Sequence, residues 1–319
     1  LQMLGIAEMQ LGHAELAVQV LRKLVKLTPD DAHALCNLGS ALEVTGRLDE
    51  ALAHYDQALA QQPGHVNAIS NRSGVLLTQK RPSDALASAE QAIALQPAQA
   101  SAWLHKGMAL VELHRPDDAL RALDQALALQ PRHPRAWMAR GLALGQLQRW
   151  AEALAALEQA LALHAGLAQA WLHRGHALRA LGREDEGLAN YNQALAVLVD
   201  QIHAGQVSEA AAREPLAAAL AAHDAVLAAQ PGNAPAWYTR GNAMLALKRH
   251  DEAATCFDRV LALMPDQADA WNNKGNALRM GTLPLAERDK RIASADVLIA
   301  SSCTTLYDGR IIDQAELFG

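Results

Sequence analysis

The sequence predicts an all-α chain, an α-solenoid of helix pairs, and three observations carry that prediction. The first is composition: of 319 residues 51% are hydrophobic but only 4% are aromatic. The apolar content therefore rests on Ala and Leu, strong helix formers, rather than on the Val, Ile, Tyr and Phe of sheet-rich folds. The second is a period: five of the six Trp stand at 103, 137, 171, 237 and 271, at steps of 34, 34, 66 and 34. The third is that apolar residues recur at helical spacing twice within each interval, with a Gly or a polar turn between the two runs. A fixed period of this size marks an array of supersecondary units that bury a continuous core only by stacking.

The repeats run in order. A truncated first repeat (1–31) carries Gly5 and closes at Pro29. In 32–65, Leu35 stands in the Trp slot, Gly39 follows, a polar turn spans Thr45 to Asp49, and Ala51, Tyr55 and Pro63 mark the second half. In 66–99, Ile69 takes the Trp slot, Ser73 replaces the Gly with Gly74 displaced by one, and Arg81-Pro82 opens the second helix, where the missing N–H of proline does no harm. Repeats 100–133 and 134–167 carry Trp103-Leu-His-Lys-Gly107 and Trp137-Met-Ala-Arg-Gly141, then Leu123 and Leu157. Trp150 lies outside the Trp slot, in the turn between helices. Repeat 168–199 has Trp171, Gly175 and Tyr191. The stretch 200–233 is degenerate: it lacks Trp and Gly and is two residues short, since Gly175 to Gly241 is 66. Its second helix reads from Pro215 to Pro231, after a short irregular segment and a helix start capped by Ser208. Repeat 234–267 restores Trp237, Gly241, Ala253, Phe257 and Pro265, and a ninth begins at Ala268. The division expected is thus a repeat array over 1–280 and a C-terminal part over 281–319, with one amphipathic capping helix from Leu285 and a non-repeat tail containing the turn signal Asp308-Gly309.

Charge and motifs narrow the function. The net charge of −6 leaves no basic footprint for nucleic acid. No run of about 18 apolar residues is present, so no membrane insertion is expected. Three widely spaced cysteines (Cys36, Cys256, Cys303) suit free thiols in a reducing compartment, and no signal peptide precedes the first repeat, so a cytoplasmic location is expected. The abrupt start at Leu1 suggests an excised or processed fragment. Phosphate-loop, dinucleotide, zinc-protease, Cys-x-x-Cys and nucleophile-elbow motifs are all missing, so no enzyme and no cofactor are expected. His173 and His176 are spaced i,i+3 as a metal pair would be, but no third ligand lies near in sequence, and solvated histidines are the expectation.

The succession Trp, Leu-Gly, Tyr, Ala, large apolar, Ala and Pro over 34 residues resembles the tetratricopeptide repeat family, across roughly residues 1–280. The resemblance implies a right-handed superhelix of antiparallel helix pairs, whose first helices line a concave groove that holds short peptides or partner helices. Mapped by repeat position, it assigns the groove to Asn37, Asn67, Asn71, His105, Arg135, His173, His176, Arg179, Asn242, Asn273 and Asn276. Asn both donates and accepts, which suits contact with a peptide backbone. Asn37, Asn71 and Asn273 match the asparagine ladder in the repeat arm of O-linked N-acetylglucosamine transferases, whereas His105, Ala139, His173 and Thr239 depart from it. The Lys, Arg and Asn set of a carboxylate clamp is not found. Arg72, Lys106, Arg140, Arg174, Arg240 and Lys274 stand where the family usually has Leu, three residues after the Trp slot. Their stems are expected to cover the helix pair with the cation over the ring, ahead of a positive ladder that attracts acidic segments. The leading function is a non-enzymatic protein–protein interaction scaffold that binds a protein or peptide partner. The alternatives are a substrate-recruiting arm of a larger enzyme and a self-assembling homo-oligomer joined through terminal repeats.

Overall fold

The structure is a computed structural model that describes residues 1–205, 207 and 209–281; the expected Ser208 cap, and the capping helix and tail beyond Gly281, lie outside the described residues. Among the described residues every regular element is an α-helix. They fall into two compact blocks, one over Leu1–Ala165 and one beginning at Gly166.

The N-terminal block holds α1 (Gln2–Gln10), α2 (Ala14–Leu27), α3 (Ala32–Val44), α4 (Leu48–Gln61), α5 (Val66–Thr78), α6 (Pro82–Leu95), α7 (Ala100–Glu112), α8 (Pro116–Leu129), α9 (Pro134–Gln146) and α10 (Trp150–Leu163). The C-terminal block holds α11 (Ala168–Ala180), α12 (Glu184–His203), α13 (Glu209–Ala229), α14 (Ala234–Ala246), α15 (His250–Leu263) and α16 (Ala268–Met280). In each regular repeat a first helix of 13 residues pairs with a second of 14, and within a block first helices also contact the first helices of neighbouring repeats.

Repeated local chemistry sets the helix ends. Four first helices start on a side chain that accepts a backbone N–H: Asp31 from His33 and Ala34, His65 from Ala68, His133 from Ala136, Asn233 from Ala236. These bonds satisfy donors that the first turn leaves open. Second helices start differently. An Arg at the N-cap holds an acid three residues on, as in Arg47–Glu50, Arg81–Asp84, Arg115–Asp118, Arg149–Glu152, Arg183–Glu186 and Arg249–Glu252. The carboxylate thereby sits in the first turn, where the helix dipole favours it. Between the two helices the chain passes through a left-handed residue at one repeat position. It is Gly12, Gly46 and Gly182 in three repeats, but Lys80, His114, Gln148 and Lys248 in four others, with φ of 54–58°.

The inside of each pair is a small-against-large contact sixteen residues apart. A Cβ added to Gly39 would lie 2.6 Å from the Tyr55 ring, one on Gly107 2.5 Å from Leu123, on Gly141 2.6 Å from Leu157, and on Gly241 2.7 Å from Phe257. The glycine lets the bulky residue of the second helix fill the gap, and Tyr55, Tyr191 and Phe257 are fully buried there. Ser73 shows the rule by inversion. It replaces the glycine, its Oγ donates to the Ala85 carbonyl at 2.7 Å, and the opposing slot shrinks to the buried Ala89. The small residue gains a hydroxyl and the large one shrinks to a methyl, so the two helices still meet without overlap.

The Trp slot is half-buried, with a role in its polar edge. Nε1 of Trp103, Trp137, Trp237 and Trp271 donates to the carbonyl of the proline six residues earlier, Pro97, Pro131, Pro231 and Pro265, at 2.8–3.0 Å. The indole thus ties its helix to the loop that closes the preceding repeat. Trp150 also finds a place: it opens α10, with its ring 3.4 Å from the position of a Cβ on Gly145.

In the degenerate stretch α12 grows to 20 residues and α13 to 21. The second helix starts at Glu209 rather than at Pro215, which lies inside it. The Ala-rich run before the proline carries the helix through one missing N–H. His223 stands in the slot of Tyr191 and Phe257; it is fully buried, and its Nε2 meets Asn192 Oδ1. Burial holds its pKa down to about 4, so the ring is neutral.

Candidate functional site

The candidate groove residues sit on the first helices, and each block brings some of them together. In the N-terminal block a polar chain crosses from α5 to α3. Asn71 Nδ2 donates to Ser40 Oγ at 3.0 Å, Ser40 Oγ lies 3.2 Å from the Tyr55 hydroxyl, and that hydroxyl donates to Glu43 Oε2 at 3.0 Å. Between α7 and α5, Ser70 and Ser101 join through their hydroxyls at 3.0 Å, and Gln99 Nε2 reaches Asn67 Oδ1 at 3.4 Å. His65 and His33 share a bond of 3.0 Å. Asn37 is half-buried on α3, and Arg135 is exposed on α9.

His105 is half-buried rather than solvated. Its ring packs over Gly74, where a Cβ would lie 3.2 Å from Cε1 and Nε2, and it is hydrogen-bonded to the Ser70 backbone. Burial pushes its pKa down to about 4, opposed by that hydrogen bond. Glu43 has its pKa raised, first by burial; the Tyr55 hydrogen bond and the charge of Arg135 work against this.

In the C-terminal block His173, half-buried, is held to a pKa of about 4 by burial and then by His176. The two rings lie 6.0 Å apart, and His176 Nδ1 lies 3.0 Å from the Tyr191 hydroxyl. Arg179 Nε donates to Glu184 at 2.8 Å. Asn273 Nδ2 donates to both Asn242 Oδ1 (2.9 Å) and the Tyr238 hydroxyl (3.1 Å), and Asn276 Oδ1 accepts from Arg279 at 2.8 Å. Among the described residues no group of three His, Cys, Asp or Glu side chains could hold a metal ion.

Two features differ from the sequence expectation. Asn71 and Asn273, expected to face a ligand, spend part of their donor capacity on the neighbouring first helix. The basic slot, expected to cover the ring, does so in part: Lys106, Arg140 and Lys274 lie 5.8, 5.8 and 4.9 Å from the centroids of Trp103, Trp137 and Trp271. Five cations of this slot also pair with an acid sixteen residues earlier, on the second helix of the previous repeat, while Arg174 donates to Asn190. The pairs are Arg72–Asp56 (2.7 Å), Lys106–Glu90 (2.9 Å), Arg140–Asp124 (3.0 Å), Arg240–Asp224 (2.6 Å) and Lys274–Asp258 (2.6 Å). A slot whose charge is matched this way is no free ladder for acidic segments. Glu43 was not among the sequence candidates. It occupies the twelfth place of its repeat, as Arg179 does in another, and that shared place was the available signal.

The comparisons agree with this architecture. The tetratricopeptide repeat model matches residues 3–66, 75–113, 104–167 and 139–201, and a second model of the same description matches 234–267. A structure from the functional characterization of Pseudomonas aeruginosa pilF is 21% identical, covering 60% of this chain and 87% of its own, with a TM-score of 0.51. A thermophilic TPR protein of Thermus thermophilus is 26% identical over 59% of this chain and 98% of its own, with a TM-score of 0.49. A tetratricopeptide repeat protein of Parabacteroides merdae is 15% identical over 86% and 96%, also at 0.49. No curated protein sequence matches the chain. No helix among the described residues is long and apolar enough to cross a membrane.

Proposed function

Because the chain belongs to the tetratricopeptide repeat family, we propose that it is a non-enzymatic scaffold that holds a peptide segment or partner helix along the face of its first helices. The fold is that of scaffolds for protein–protein interaction. The observation that carries the reading is the placement of polar side chains on that face: Asn37, Asn67, Asn71, Ser101 and Arg135 lie on successive first helices of one block. The residues of the remaining slots are engaged in packing or in charge pairs between repeats. Amide and hydroxyl groups both donate and accept, which suits contact with a peptide backbone rather than with one side-chain sequence. The two buried free thiols, Cys36 and Cys256, support a reducing, cytoplasmic setting.

A photocrosslinking residue placed at Asn37 should give a discrete adduct with the partner, whereas one at the exposed Arg121 on α8 should not. Asn37→Ala and Arg135→Ala should each weaken capture by about tenfold, the loss of one good polar contact. Equal crosslinking from both faces would remove the reading.

A further inference from the structure

The basic slot is matched on one side by the previous repeat, and its other side differs from repeat to repeat. Arg72 Nη1 donates to Ser88 Oγ at 2.7 Å, Arg174 Nη1 to Asn190 Oδ1 at 2.8 Å, and Arg240 Nη1 meets Cys256 Sγ at 3.1 Å. Each of these partners lies sixteen residues after its cation, on the second helix of the same repeat. At Lys106 the corresponding residue is Ala122, and a methyl offers no acceptor. The Lys106 ammonium meets Glu90 of the previous repeat at 2.9 Å and keeps further donors.

The fold leaves room at this place. A cavity of about 530 Å³ lies between α7 and α8, and Lys106 and Ala122 both line it. Trp103 and Leu110 add apolar lining from α7, and Arg121 stands on the α8 side. The volume falls within the range of small-molecule sites.

The charges around the cavity leave one cation over. Each acid there has a partner: Glu90 has Lys106, Asp118 has Arg115, and Asp124 has Arg140 from α9. Arg121 is the surplus, and it shares Asp118 with Arg115. The same position holds Ala53, Ala87, Ala155, Ala189 and Thr255 in other repeats. The Arg121 side chain is 75% exposed, within reach of a ligand that enters from solvent.

We propose that this cavity binds a small organic anion, a carboxylate or phosphate ester carried on an apolar ring. The oxyanion takes the donors of Lys106 and Arg121, a charge-assisted pairing, where Ser88 or Asn190 serves the cation in other repeats. The ring takes the apolar lining of Trp103 and Leu110. The site makes no use of the residues assigned to a peptide, so the two readings stand or fall separately.

Isothermal titration calorimetry of the full chain with phenyl phosphate, benzoate, inorganic phosphate and benzylamine tests the assignment. Phenyl phosphate or benzoate should bind about tenfold tighter than inorganic phosphate, and benzylamine should give no heat of binding. Two substitutions borrow residues that other repeats already carry. Arg121→Ala, the residue of Ala87 and Ala155, removes the surplus cation and should weaken the aryl anion about tenfold. Ala122→Asn, the residue of Asn190, supplies the second partner of the cation and fills the room, and should weaken it as much. Asn37→Ala, on the peptide face, should leave it unchanged. Inorganic phosphate that binds as tightly as both aryl anions would overturn the proposal, because the cavity would then hold an ion only. Failure of both aryl anions to bind, or binding that survives both substitutions, would overturn it as well.

Discussion

The repeat of α7 and α8 and the stretch of α12 and α13 solve the same problem with different parts. In the first, Gly107 faces Leu123, Trp103 bonds to Pro97, and Lys106 reaches back to Glu90. In the second the small residue of the pair has no counterpart: Val207 stands in its register, outside any helix, and the flanking helices lengthen by a turn or more. Where a regular repeat buries Tyr or Phe, this one buries His223 on Asn192. Periodicity therefore fixes which positions must be filled. The chemistry that fills them is free to change, and a buried polar pair replaces an apolar contact while adding sensitivity to protons.

The largest expected effect separates the two regions by pH. The folded pKa of His223, about 4, lies below its ordinary 6.5. Its neutral form is therefore fully compatible with folding above pH 6.5, and stability is lost as pH falls through that value toward 4, by about 3 kcal/mol in all. His223→Phe, the residue of the equivalent slot in α15, should flatten the acid limb of a plot of Tm against pH. His105 and His173, shifted the same way, keep some slope. An acid limb identical to the parent's would show that this histidine is not the source of acid sensitivity in the irregular region.

Next in size is packing. Gly141→Ala puts a Cβ 2.6 Å from Leu157 and should destabilise by about 1–3 kcal/mol in urea melts. Val207→Gly, at the same register in the irregular stretch, should change stability by less than about 1 kcal/mol, because no helix partner is shaped around it. Equal losses at the two sites would erase the distinction.

The smallest effect concerns the shared left-handed turn. Gln148 holds φ at 58° where Gly46 and Gly182 hold 76° and 77°. Gln148→Gly should raise stability by a few tenths to about 1 kcal/mol, since relief of the Cβ clash outweighs the added freedom of the unfolded chain. A drop in Tm would show that the glutamine side chain contributes more than the strain removes.

Much of the fold was readable because its determinants repeat within one helix pair. Trp103, Gly107 and Leu123 recur in step with Trp137, Gly141 and Leu157, so the period names them together. The acids Asp56, Glu90 and Asp124 recur just as faithfully, yet their partners lie on the next repeat, and only stacking shows which cation reaches them. The site was less legible for a related reason. Asn71 and Asn273 were found by slot, but their bonds to Ser40 and Asn242 depend on the register between first helices. Glu43 stayed hidden because its character comes from its surroundings, the Tyr55 hydroxyl and the bare backbone of Gly74. The long α13 was cut short on the sequence because Pro215 is a sound start signal that this helix passes through.

The indole bonds have a mechanical consequence. Trp103 Nε1 and the Pro97 carbonyl are six residues apart along the chain, whereas the Lys106–Glu90 pair spans sixteen and joins two repeats. When the ends of the N-terminal block are pulled apart, the local latch travels with its own helix and loop, and the longer-range ion pair is the contact that is loaded. The block should lengthen first by opening seams between intact repeats, each of which closes again on release, so that it behaves as a spring with steps rather than as a rod that breaks.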